Sequence, residues 1–250
     1  RDAQESRGLG DVYKRQDGDI MIQACSNDPQ VTFHAIHNLI RPFRDIIKIR
    51  WSQHGFISAK KNETPRNLMA FKDGTVNPRK NNDLKKYVFI DNGWAENGTY
   101  CIIRRIQIHI ETWDRTALEE QEATFGRKRS TGAPLTGKKE FDNIDLNAKN
   151  NKGKYVIDEN AHTRLAREVK TSIKRRAYNY NDGTNAKTGD LDTGLMFICF
   201  QKSIQQFIDI QNNLGHNDKL NEYITHRGSA SFLVLPGIQK GGYIGETLFN

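Results

Sequence analysis

The chain has 250 residues, with 38 Lys and Arg against 30 Asp and Glu, a net charge of +8, and 36% hydrophobic residues. That length can bury one large or two small cores, and no apolar run reaches the ~18 residues a membrane helix needs. The basic clusters, such as Arg127-Lys128-Arg129 and Lys174-Arg175-Arg176, are interspersed with acids and accompany no RRM, KH or zinc-finger signature. Nucleic acid is therefore not an expected partner.

Residues 1–16 have no apolar periodicity and read as a non-native, adapter-like segment, set aside from the fold. Residues 17–97 contain a strand over 19–25, a helix over 31–39 and a strand over 47–51. Turn chemistry follows at Asp73-Gly74 and Asn77-Pro78, where no helix or strand pattern competes for the carboxylate. Residues 91–98 join this part to the next, which runs over 98–250.

In that second part, residues 100–113 read as a strand, with Ile106, Ile108 and Ile110 alternating with Gln107, His109 and Glu111. Asp114 is placed to cap a helix through about Phe125, with Gly126 as its stop signal. A polar loop spans 127–160 and a strand 173–180, and Asn181-Asp182-Gly183 begins a hairpin-like connection. The apolar run 195–201 reads as a buried strand, and residues from Ser203 as an amphipathic helix. A last strand covers 231–235. The order strand-helix-strand-strand-helix-strand is the split βαβ, ferredoxin-like arrangement.

Cys25, Cys101 and Cys199 are distant and odd in number, which suggests neither a disulfide framework nor a zinc site. The run from Gly132 to Lys139 imitates a phosphate-binding loop. It lacks the hydroxyl residue after the Lys, contains Pro134 and follows no apolar strand, so it is set aside.

Three groups of residues carry a resemblance. They are Asn67-Leu68-Met69-Ala70-Phe71-Lys72-Asp73-Gly74-Thr75-Val76-Asn77-Pro78, then Ala161-His162-Thr163-Arg164-Leu165-Ala166, then Ile173-Lys174-Arg175-Arg176-Ala177-Tyr178. Together with Trp113-Asp114-Arg115-Thr116 and Thr131-Gly132-Ala133-Pro134-Leu135, they resemble the dye-decolorizing haem peroxidases, in particular the branch of iron-uptake deferrochelatase/peroxidases. The chain departs from the family pattern twice. Ala70 stands where the family has Gly, and Arg167-Glu168 follow Ala166 where Asn-Pro is usual.

The resemblance implies an α+β fold of two ferredoxin-like halves of the dimeric α+β barrel type, with the N-terminal half truncated here. It implies one haem b per chain, with His162 as the axial iron ligand, Arg164 at a haem propionate, and Phe197 and Phe200 as haem contacts. Asp73 is the expected general base and acid towards hydrogen peroxide, and Arg175 the stabiliser of the developing negative charge. Asn77 is expected to orient the distal water or peroxide through its amide. The implied activity is reduction of hydrogen peroxide with oxidation of a small organic donor, dye-like or porphyrin, through an oxoferryl intermediate. The alternative is release of iron from haem in bacterial iron uptake. Export from the cytoplasm, iron-uptake partners and a homo-oligomer are further implications of the resemblance.

Overall fold

The computed structural model describes residues 15–215 and 217–249. The segment read as non-native lies outside the described residues except for Arg15 and Gln16. These two pack against the body of the protein: Arg15 pairs with Asp182 at 3.5 Å, and Gln16 accepts a hydrogen bond from Arg50.

A single antiparallel sheet organises the second part. Its strands are β1 (Thr99–Ile108), β2 (Lys174–Arg175), β3 (Tyr178–Thr184), β4 (Leu191–Gln201) and β5 (Ile224–Val234). β4 and β1 lie side by side at the centre, β5 pairs with β1, and β2 and β3 both pair with β4. Taking β2 and β3 as one interrupted strand, this is the ferredoxin-like order, so the α+β fold expected from the sequence is present. The sheet is open and is not a barrel.

The first part differs from expectation. The helix is there, as α1 (Pro29–Ile40), started by Asp28 accepting from the amide of Gln30. Strands over 19–25 and 47–51 do not form, and Ile20, Ile46 and Ile49 are exposed. A strand needs a neighbour to satisfy its backbone, and among the described residues the one β-bridge between this region and the sheet is the isolated bridge of Phe56 with Asn179. α2 (Asn81–Tyr87) follows.

Element ends shift for local reasons. β1 stops at Ile108 rather than 113, because residues 110–114 close into the short helix α3 (Ile110–Asp114). α4 (Leu118–Phe125) ends at Gly126 in the left-handed conformation, φ 75°, as the stop signal requires. His109 leaves the strand and its Nε2 lies 2.8 Å from Thr225 Oγ1. Asn181, Asp182 and Gly183 sit inside β3, and the turn falls instead at 185–190, where the amide of Asn185 donates to Asp190 O. α5 (His162–Glu168) and α6 (Ile204–Leu214) complete the helices, the latter begun by a capping box of Ser203 and Gln206.

The two faces of the sheet carry separate cores. Ile102, Ile173 and Cys199 pack with Phe197 and with Ile204, Phe207 and Ile210 of α6. Cys101, Ile103, Met196 and Ile198 pack on the opposite face with Met21, Trp51 and Tyr178. A third cluster of Met69, Phe71, Ile108, Trp113, Phe125, Leu220 and Tyr223 binds the 67–73 loop to the end of β1 and to α3 and α4.

Candidate functional site

Asp73 is delivered by a loop with almost no freedom. Phe71, 2% exposed, stacks on Phe125 at 4.1 Å and meets Trp113 edge-on. Asn67 Oδ1 accepts from the amides of Met69 and Phe71, while the Asp73 amide donates to Pro65 O. Between them Ala70 adopts φ 67°, a region where a Cβ is strained and Gly is not. The sequence departure at this position is therefore a conformational one. Arg66 holds the turn in place: its Nη1 donates to Ala70 O and Arg129 O, each at 2.6 Å, and its Nη2 donates to Ser130 O at 2.7 Å.

Arg175 comes from β2, opposite Cys199 of β4 and therefore on the face covered by α6. Its Nη1 donates to Asp73 Oδ1 at 2.8 Å, and both side chains are largely shielded from solvent. Asn77 completes the group in a way the sequence did not suggest. Its Nδ2 donates to Arg175 O and its Oδ1 accepts from the Arg175 amide, both at 2.9 Å. The amide of Asn77 thus fixes the Arg175 main chain, instead of being directed at a distal water or peroxide.

His162 opens α5. Its Nδ1 lies 2.6 Å from Asp218 Oδ2, and this carboxylate is 3% exposed. Asp218 Oδ1 accepts from the Leu220 amide, which orients the acid independently of the histidine. A carboxylate only accepts, so Nδ1 carries a proton, and in the neutral imidazole Nε2 is the electron-pair donor. Phe125 lies edge-on to the His162 ring at 6.1 Å and stacks on Phe71, so the histidine and the Asp73 loop share one aromatic wall. Asp218 is the site residue that the sequence reading missed. Its only signal is that of a turn cap, 56 residues from its partner.

The remaining expected contacts are placed differently. Arg164 is 7% exposed, donates to Ile157 O, Asp158 O and Leu146 O, and lies over the Tyr155 ring. Through Nε and Nη2 it clamps the 146–158 loop. Phe197 and Phe200 lie on opposite faces of the sheet. Phe197 packs on the Arg175 side with Phe207, and Phe200 with the Cys101 and Ile103 core. They cannot both line one cofactor.

Three cations surround the same region. Arg127, 8% exposed, donates to Gly132 O and Glu140 O. Burial pushes its guanidinium down to about 10, and the positive charges of Arg167 and Arg175 add to this. With its imidazole Nε2 free to donate and its ring against the aromatic wall that also holds the Asp73 loop, His162 suits a haem iron.

Asp73, Arg175 and Asn77 also line a cleft of about 280 Å³ at the sheet edge, which His162 does not reach. Among the described residues no group of three or more His, Cys, Asp or Glu is arranged to hold a metal ion. No helix among them is long and apolar enough to cross a membrane.

The family model described as Dyp-type peroxidase, C-terminal, matches residues 64–239, and that described as Dyp-type peroxidase, N-terminal, matches residues 10–57. The deferrochelatases of Yersinia pseudotuberculosis and Escherichia coli K12 are each 38% identical over 252 residues, covering 93% of this chain. The match takes in 57% and 59% of their respective lengths, so the chain spans under two thirds of these curated relatives. Among solved structures, an oxyferrous complex of DtpA from Streptomyces lividans is 33% identical, with TM-score 0.90, covering 95% of this chain and 68% of that one. A DyP-type peroxidase from Cellulomonas bogoriensis is 35% identical with the same TM-score and coverage.

Proposed function

The chain belongs to the Dyp-type peroxidase family, and on that footing we propose that it binds one haem b and reduces hydrogen peroxide at the expense of an organic donor. The bound haem supplies the redox-active iron. His162 Nε2 would hold that iron, and the hydrogen bond from Nδ1 to Asp218 would make it the more electron-rich donor. Phe197, on the Arg175 side of the sheet, would be its aromatic contact.

The single observation that carries this reading is the Asp73–Arg175 pair at 2.8 Å. A carboxylate beside a guanidinium can take a proton from one peroxide oxygen and return it to the other. The guanidinium remains charged throughout and faces the negative charge that develops. Asn77 keeps Arg175 in register for that task. The division into residues 17–97 and 98–250 belongs to the same proposal, the first part supplying Asp73 and the second Arg175 and His162.

The test is a hemin titration of wild type and His162→Ala, followed in the Soret region and then by peroxide consumption. Saturation at one haem per chain in wild type alone, with peroxide turnover that Asp73→Asn loses, is the expected result. Equal weak binding by both proteins rejects His162 as the ligand.

A second reading is favoured by the 38% identity to proteins named deferrochelatase: release of iron from haem at the same His162. Normal iron release by Asp73→Asn, without peroxide, selects it. Export, association with an iron-uptake system and self-association belong to these readings as proposals.

A further inference from the structure

We propose that Glu140 is a positioning residue for the reaction with peroxide: it grips the chain on both sides of Gly74 and so keeps the carboxylate of Asp73 on Arg175. The inference rests on the peroxidase reading and adds to it a residue that works through Asp73.

The backbone next to Asp73 contains a joint. Gly74 stands at φ 106°, a conformation that a residue without Cβ adopts readily. A Cβ there would meet nothing nearer than Asn77 Nδ2 at 3.5 Å, so packing does not hold the joint. The anchors Arg66, Asn67 and Phe71 all lie upstream of Asp73. A tie that crosses Gly74 keeps the acid from swinging away from Arg175.

Glu140 supplies that tie. Its Oε2 accepts from Lys72 Nζ at 2.5 Å and its Oε1 from Thr75 Oγ1 at 2.9 Å. One carboxylate thus bridges the residue before Asp73 and the residue after Gly74. Thr64 donates to the same carboxylate, and its neighbour Pro65 offers the carbonyl that takes the Asp73 amide. The side chain of Glu140 is 10% exposed, so water competes little, and charge-assisted bonds in such a setting are the strong ones. Lys72 and Thr75 are bonded to Glu140, while Asp73, which lies between them in the chain, is bonded to Arg175.

Glu140 is itself held from behind. The buried Arg127 donates through Nη1 to Glu140 O at 3.1 Å and to Gly132 O at 2.6 Å. Gly132 leaves room for both partners of the ion pair: a Cβ there would meet Lys72 Cδ at 2.7 Å and Glu140 Cγ at 3.4 Å. The 127–140 loop is therefore a clamp, closed on groups 65 and 68 residues away in the chain. Asp142, two residues on, is the contrast. It serves its own turn, accepting from the Lys138 and Lys139 amides.

The test uses the full chain as wild type, Glu140→Gln, Thr75→Val, Asp73→Asn and the Asp73→Asn/Glu140→Gln double variant, each below its own melting temperature. Deuterium uptake by the haem-free chain, read by mass spectrometry over residues 64–75 and over β1 as reference, reports on the loop. The rate constant of the haem-loaded chain with peroxide reports on the chemistry. Glu140→Gln is expected to speed exchange in 64–75 by about fivefold and to leave β1 unchanged. It is expected to slow the reaction by about tenfold at wild-type hemin affinity, inside the ~10²-fold that a misplacement of about 1 Å can cost. Thr75→Val, which removes one tie and keeps the shape of the side chain, shifts both in the same direction by about threefold. In the Asp73→Asn background Glu140→Gln has no further effect on the residual rate, because residues that act as a unit are not additive. A loop that exchanges as in wild type, or a rate loss that persists in full in the Asp73→Asn background, overturns the proposal. A wild-type rate for Asp73→Asn overturns the peroxidase role of Asp73 and this proposal with it. A wild-type rate for Glu140→Gln beside an impaired Asp73→Asn overturns this proposal alone.

Discussion

His162 and Asp218 form a 2.6 Å hydrogen bond in which the carboxylate is fixed from its other oxygen by the Leu220 amide. The imidazole is thereby held in one tautomer and one orientation before any ligand arrives. Outer partners of this kind typically affect metal affinity by 10–100-fold when removed. Asp218→Ala is expected to weaken hemin binding by about that factor and to alter the Soret band of the complex, measured by titration. An unchanged affinity would show that the pair is purely structural.

Ala70 sits at φ 67° in the turn that delivers Asp73. Ala70→Gly removes the Cβ strain, of order 1–2 kcal/mol, and gives back part of it through the greater entropy of the unfolded chain. A net gain of about 0.5–1 kcal/mol is expected, raising the melting temperature by roughly 1–4 °C for a chain of this size. A scanning thermal melt in which the variant is less stable than wild type contradicts this.

Gly194 offers the opposite case. A Cβ built there would meet Ile106 O at 1.9 Å and the Tyr180 ring at 2.8 Å. The carbonyl belongs to the central strand and cannot retreat without breaking the ladder between β1 and β4. Gly194→Ala is expected to cost ~3 kcal/mol or more, at the upper end of overpacking effects, read by denaturant titration.

Glu140 gives the fold a pH dependence. Burial raises its pKa, but hydrogen bonds from Lys72, Thr64 and Thr75 outweigh this and leave it below the ordinary 4.5. A depressed folded-state pKa stabilises fully above the unfolded value and is lost as pH falls through the folded value. Wild type is therefore expected to lose stability below about pH 4.5, and Glu140→Gln to show a shallower loss over that window, with lower stability at pH 7. Parallel acid curves for the two proteins would exclude Glu140 as a contributor.

The thiols should separate cleanly. Burial pushes both Cys101 and Cys199 up to about 12, whereas Cys25 is exposed. Since the thiolate is the reactive form, iodoacetamide at pH 8 is expected to alkylate one thiol in the native chain and three after denaturation, counted by mass spectrometry.

The second part of the fold was legible in the sequence because its signals are local. The Ile106 and Ile108 alternation, the apolar run 195–201 and the Ser203 cap each act within a few residues. Gly126 and its left-handed conformation belong to the same class. Strands over 19–25 and 47–51 were not decided locally, because a strand exists only where a neighbour accepts its hydrogen bonds.

The sequence by itself singled out the candidate residues: an acid in a turn, a histidine in the 161–166 motif and an arginine in an expected strand. Only the tertiary structure decided what each side chain touches. It turned the Asn77 amide onto the Arg175 main chain, locked Arg164 to three carbonyls, set Phe197 and Phe200 on opposite faces and brought Asp218 to His162. Those outcomes depend on contacts 18 to 98 residues apart in the chain, where strand register and loop closure, rather than local propensity, set the distance.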